Sequence, residues 1–80
     1  MLVMDVIMPK WGMTMQDATI SCWLKAEGDA VETGEPLVEV ETDKVQAAIE
    51  APIDGTLRQR AAAVGDVVRV GALVAIIDPA

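Results

Sequence analysis

The chain repeats itself. A shift of 37 positions carries Asp17 to Asp54, Thr19 to Thr56, Ala26 to Ala63, Gly28 to Gly65, Asp29 to Asp66, Val31 to Val68 and Gly34 to Gly71. The same shift takes Ile20 to Leu57, Leu37 to Val74 and Val40 to Ile77, keeping each position apolar. The shared frame is Gly-Asp-x-Val-x-x-Gly-x-x-(Leu/Val)-x-x-(Val/Ile)-(Glu/Asp). A unit of a few short strands cannot bury a face alone. The two copies are therefore expected to pack together about a pseudo-two-fold axis, each sheet drawing strands from both halves.

Within the units, the pattern is that of strands. Val3 to Pro9 reads as a first strand closed by its proline. Thr19 to Lys25 alternates, with Ile20, Cys22 and Leu24 on one face and Thr19, Ser21, Trp23 and Lys25 on the other. That alternation makes Cys22 a small core residue and leaves Trp23 half-covered on the more exposed face. Leu37–Glu41 and Val45–Glu50 alternate in the same way, Thr56–Arg60 reads as the next strand, and the run from Leu73 to Asp78 closes the domain. Turn signals separate them at Ala26–Asp29, Glu32–Pro36 and Pro52–Gly55. Arg60 to Val64 is the one helix-friendly run. Many short strands between turns indicate an all-β sandwich or barrel.

Composition narrows the classes of function. Eighty residues make one small domain, and 52% hydrophobic content with 2% aromatic leaves a core of Val, Ile, Leu, Met and Ala. A net charge of −7 argues against nucleic acid or an anionic membrane as partner, while a basic patch on another protein would be attracted. No stretch is apolar enough to span a bilayer, and the start lacks the basic region of a signal peptide. The single cysteine excludes an internal disulfide and fits a reducing compartment. Histidine is absent, which removes the usual general base and imidazole metal ligand.

The repeat is imperfect at two places. Glu41 corresponds to Asp78, so the stretch Glu41-Thr42-Asp43-Lys44-Val45 is matched only by Pro79 and Ala80. This stretch joins two alternating runs, and the local reading is a β-hairpin with Lys44 at or beside its tip. Most turn lysines are only solubilising charges. Here Lys44 is one of six basic residues against thirteen acidic ones, and it sits at the seam of the repeat. The second departure is a loop. Pro9 to Asp17 spans 8 residues, Pro52 to Asp54 only 2, so Lys10–Gln16 is an insertion on one side. Met15 suits a core plug, and Trp11 suits an exposed contact. An asymmetric insertion on a symmetric scaffold is a candidate for function.

The run from Gly28-Asp29 through Val31, Gly34, Leu37 and Val40 to Glu41-Thr42-Asp43-Lys44 resembles the lipoyl domain of 2-oxo acid dehydrogenase complexes, in their dihydrolipoyl acyltransferase component. Met8-Pro9-Lys10-Trp11-Gly12-Met13-Thr14-Met15 is similar to that family's opening. Biotinyl domains share the fold but carry Met-Lys-Met at the modified turn. Asp43 and Val45 beside Lys44 favour lipoate, although many members have Ala where Val45 stands.

The resemblance implies a flattened barrel of two four-stranded antiparallel sheets, the lipoyl/biotinyl hammerhead-type fold. It implies a carrier without its own active site, excised from or N-terminal in a larger acyltransferase chain. Lys44 would bear lipoic acid in amide linkage, on a presentation turn formed by Glu41, Thr42, Asp43 and Val45. The lipoyl group would be reductively acylated by a thiamine-dependent 2-oxo acid or acetoin dehydrogenase component, pass the acyl group to coenzyme A and be reoxidised by a flavin dihydrolipoyl dehydrogenase. A lipoate ligase or lipoyl transferase would install it. Trp11, Gly12 and Met13 would help the decarboxylase recognise its carrier. The resemblance places such a monomeric domain in a bacterial cytoplasm or a mitochondrial matrix. Two other readings stay open: a biotin carboxyl carrier, and an unmodified structural or binding module of the same fold.

Overall fold

Eight strands form two four-stranded antiparallel sheets in the computed structural model, which describes residues 2–13 and 15–80; Met1 and Thr14 lie outside the described residues. The strands are β1 (Met4–Ile7), β2 (Asp17–Trp23), β3 (Ala30–Val31), β4 (Pro36–Glu41), β5 (Gln46–Glu50), β6 (Gly55–Arg60), β7 (Val67–Arg69) and β8 (Leu73–Pro79). One sheet has the order β1-β8-β6-β3 and the other β5-β4-β2-β7. Each sheet takes two strands from each half, and the half-turn that exchanges the repeats exchanges the sheets. Among the described residues there is no helix, and the Arg60–Val64 run ends β6 and enters a turn.

The two halves make the same bonds. The Gly28 N–H donates to the Leu57 carbonyl at 2.7 Å, and the Gly65 N–H donates to the Ile20 carbonyl at 2.8 Å. Asp29 and Asp66 each accept the amide three residues earlier, from Ala26 and Ala63, both at 2.9 Å. Gly34 and Gly71 turn the chain at φ of 85° and 88°, a left-handed conformation that disfavours any side chain with a Cβ. The buried residues pair likewise: Ile20 with Leu57, Leu37 with Val74, Val40 with Ile77 and Val31 with Val68. No polar or charged side chain is buried among the described residues, so apolar burial is the driving term for association of the sheets.

One expectation from the alternation is overturned. Cys22 is exposed and Leu24 is 44% exposed, whereas Trp23 is half-buried and packs on the core. The cause is a β-bulge. Ile20 pairs with Val40 and Cys22 with Glu39, so Ser21 has no partner across the ladder. One extra residue moves every later side chain to the opposite face. The second repeat has the same irregularity between Leu57 and Gln59.

Candidate functional site

Lys44 lies in the connection between β4 and β5. The last ladder pair is Glu41 with Gln46, so Thr42 to Val45 form a four-residue loop. Outside glycine, no described residue has a positive φ, and the loop turns without left-handed backbone. Loops of this length are commonly built on a type I turn, which allows Asp and Lys at its centre. Thr42 holds the loop shut. Its N–H donates to the Val45 carbonyl at 2.8 Å, and its Oγ1 accepts from the N–H groups of Lys44 at 3.3 Å and Val45 at 3.2 Å. A threonine hydroxyl here replaces backbone partners that the turn leaves free. Below the loop, Glu41 accepts from the Gln46 amide at 3.2 Å.

Asp43 and Lys44 are both exposed. Among the described residues, the ion pairs are Lys25 with Glu35 and Arg58 with Asp78, so neither Glu41 nor Asp43 pairs with Lys44. The Lys44 ammonium thus stands on an ordered turn with no ion-pair partner among the described residues. The Ala80 N–H donates to the Asp54 carbonyl at 3.0 Å, beyond the far end of β5, so residue 80 lies away from the hairpin.

The inserted loop closes against this hairpin. Trp11, Gly12, Met15, Gln16, Asp17 and Thr19 line one side of an open cleft, and Glu41 to Val45 line the other. The loop is tied at both ends. The Met8 N–H donates to the Ala72 carbonyl at 2.9 Å, and Gln16 accepts from the Val70 N–H at 2.9 Å. Within the loop, the Met15 N–H donates to the Gly12 carbonyl at 3.1 Å, and the Trp11 N–H meets the Met15 sulfur at 3.4 Å. Met15 packs on the core and Trp11 keeps 41% of its surface exposed. Trp11 and Gly12 thus share a site with Lys44, while Met13, 94% exposed, points outside the cleft.

Sequence reasoning missed Gln16, Asp17 and Thr19 as cleft residues. Thr19 is the ladder partner of Glu41, so the start of β2 lies beside the hairpin. The residues present fit an amide-linked arm: an exposed primary amine on a stable turn, a neighbouring half-exposed indole, and Val45 at 47% exposure.

The two-sheet scaffold thus presents an exposed lysine on a hairpin turn. Residues 4–77 match the biotin–lipoyl family model, described as a biotin-requiring enzyme. The fold is similar to the lipoyl domain of the 2-oxoglutarate dehydrogenase complex from Azotobacter vinelandii in solution, with a TM-score of 0.74 and 31% identity over 95% of this chain and 98% of that one. The chain belongs to the biotin–lipoyl attachment family, and within it is a lipoyl domain, a carrier rather than a catalyst.

Its sequence is 45% identical to a dihydrolipoyllysine-residue acetyltransferase component of an acetoin cleaving system from Cupriavidus necator, over 98% of this chain and 21% of that protein. It is 49% identical to the corresponding component of a pyruvate dehydrogenase complex from Corynebacterium glutamicum, over 95% of this chain and 11% of that protein. The chain spans about a fifth or less of the length of these curated relatives.

Proposed function

We propose that the chain carries lipoic acid in amide linkage on Nζ of Lys44 and serves an acetyltransferase component of a pyruvate- or acetoin-type dehydrogenase complex. The observation that supports this reading is the free, exposed Lys44 ammonium on the Thr42-closed turn of a lipoyl domain. When attached, the lipoyl group supplies a dithiol/disulfide pair that accepts an acyl group and releases it to coenzyme A. Thr42 shapes the turn, and the absence of a side-chain ion pair to Lys44 among the described residues leaves the amine open to a modifying enzyme. Amide formation removes the Lys44 charge and makes the surface more acidic.

The partners in this reading are a thiamine-dependent decarboxylase, the acyltransferase catalytic domain, a flavin dihydrolipoyl dehydrogenase and a lipoate ligase or lipoyl transferase. Trp11, Gly12 and Met13 on the inserted loop are its recognition surface for the decarboxylase. The exposed Cys22 thiol suits a reducing compartment such as a bacterial cytoplasm or mitochondrial matrix. Tethering within a longer chain would raise the local concentration of the arm at successive active sites.

The test is mass spectrometry after incubation with ATP, lipoate and a lipoate ligase, beside a parallel reaction with biotin and a biotin ligase. A single lipoyl adduct on Lys44, absent from Lys44→Ala, is expected. A biotin adduct instead would make the domain a carboxyl carrier, and no adduct on folded protein would leave Lys44 a surface charge.

A further inference from the structure

The cleft between the inserted loop and the hairpin has no counterpart in the repeat at the level of sequence, since Pro52 to Asp54 leaves no room for such a loop. Its walls carry three apolar side chains. Trp11 and Val45 are 41% and 47% exposed, and Met15 lies half-buried beneath them. The remaining charges lining it are Asp17, Glu41 and Asp43, with Lys44 the one cation. Once Lys44 is acylated, the cleft has no positive group, which disfavours an anionic occupant and leaves Trp11, Met15 and Val45 as the contact surface for a neutral one. Its shape is set before anything binds, because bonds from Met15 to Gly12 and from Val70 to Gln16 fix the loop. A preformed seat leaves only the occupant to be ordered.

We propose that this cleft is a resting seat for the dithiolane end of the lipoyl arm on Lys44, with the Trp11 ring as its platform. The proposal rests on the carrier reading above. The occupant is tethered to a residue of the cleft wall itself, so seating is intramolecular and a weak contact suffices. Sulfur against an aromatic face, with the hydrocarbon stem along Val45 and Met15, is a favourable match for a neutral disulfide ring. The arm then divides its time between the seat, where Trp11 covers the ring, and solvent, where it is free to travel.

The test uses the fully lipoylated domain and dithiothreitol in high salt, which screens the acidic surface from the attacking thiolate. Reductant thiolate attacks the ring disulfide. The ring opens to two thiols as dithiothreitol closes to its own cyclic disulfide, so two electrons and two protons pass from one to the other. Ring opening is followed in the domain, in Trp11→Ala, in Trp11→Phe and in free lipoamide, with circular dichroism confirming the fold. The native domain is expected to react about fivefold more slowly than lipoamide. Trp11→Ala is expected to match lipoamide, and Trp11→Phe to keep most of the protection. Equal rates for native domain and lipoamide, or undiminished protection in Trp11→Ala, would overturn the seat while leaving the carrier reading intact. Failure to form any Lys44 adduct would overturn both.

Discussion

Trp23 and Arg60 occupy the same place in the two repeats and stack on each other, the guanidinium carbon 5.5 Å from the ring centroid. The indole Nε1 also donates to the Ala62 carbonyl at 3.0 Å, and the Arg60 N–H donates to Glu27 at 3.0 Å. The pair therefore crosses the pseudo-two-fold axis and couples the halves. Trp23→Ala is expected to cost about 2 kcal/mol, less than a fully buried aromatic would. Arg60→Ala should cost about 0.5–1 kcal/mol, the scale of a partly exposed cation–π contact. A double-mutant cycle by denaturant unfolding should return a coupling of similar size, and strict additivity would refute the latch.

The same pair shows why part of the fold was hidden in the sequence. Simple alternation placed Cys22 inward and Trp23 outward, and the bulge at Ser21 reversed both. A bulge inserts one residue and leaves no compositional mark. The repeat did carry a signal, because the equivalents of Cys22 and Trp23 are Gln59 and Arg60, and Gln59 does not suit a core. What was legible was whatever the repeat doubled: both sheets, the strand exchange and the paired glycine turns. The hairpin and the inserted loop were legible as breaks in that symmetry. Their convergence on one cleft was not, because the Thr19–Glu41 pairing that brings them together is a long-range contact.

Gly55 tests the sheet packing without any left-handed backbone. A Cβ placed there would run into the Asp78 carbonyl and meet the Ile77 side chain at 2.9 Å. Its equivalent in the first repeat, Ala18, is buried with its methyl accommodated. Gly55→Ala should destabilise by about 1–3 kcal/mol through displacement of β8 from β6, whereas Ala18→Gly should cost about 1 kcal/mol. Thermal or denaturant unfolding measures both, and a neutral Gly55→Ala would show that the strands separate freely.

Acid sensitivity should concentrate on two carboxylates. The Thr33 N–H and hydroxyl donate to Asp54 at 2.7 and 2.9 Å and hold its carboxyl below the usual range. Glu35 is lowered by its bond from Lys25 at 2.9 Å, and next by a backbone bond from Glu32. A depressed carboxyl contributes stability that is present above its ordinary pKa and lost as pH falls through the lowered value. Thr33→Val should raise the Asp54 pKa in an NMR titration and remove its share of that acid-side loss. An unmoved Asp54 would mean that the hydroxyl bond does not act on its charge and that the backbone N–H bond, kept in the variant, carries the lowering.

Lys44→Ala should leave stability within about 0.5 kcal/mol of native, because the ammonium has no partner among the described residues. Measured unfolding of the unmodified proteins checks this. A loss well beyond that range would reveal a structural role for the lysine and weaken its reading as a presented group.

Thr42 separates the shape of the turn from the chemistry of its lysine. Thr42→Val keeps volume and β-branching but removes the oxygen that accepts from Lys44 and Val45. Both N–H groups belong to exposed residues and can turn to water, so the expected loss is about 0.5–1 kcal/mol. The larger effect falls on presentation: with the turn loosened, the modifying enzyme must order it, and lipoylation should slow several-fold. Thr42→Ser restores the acceptor and should recover the rate. Both variants are compared in initial rates of adduct formation on Lys44, with unfolding measured alongside. Equal rates for Thr42→Val and native protein would mean that the ligase needs only the exposed amine, and that the hydroxyl serves the hairpin alone.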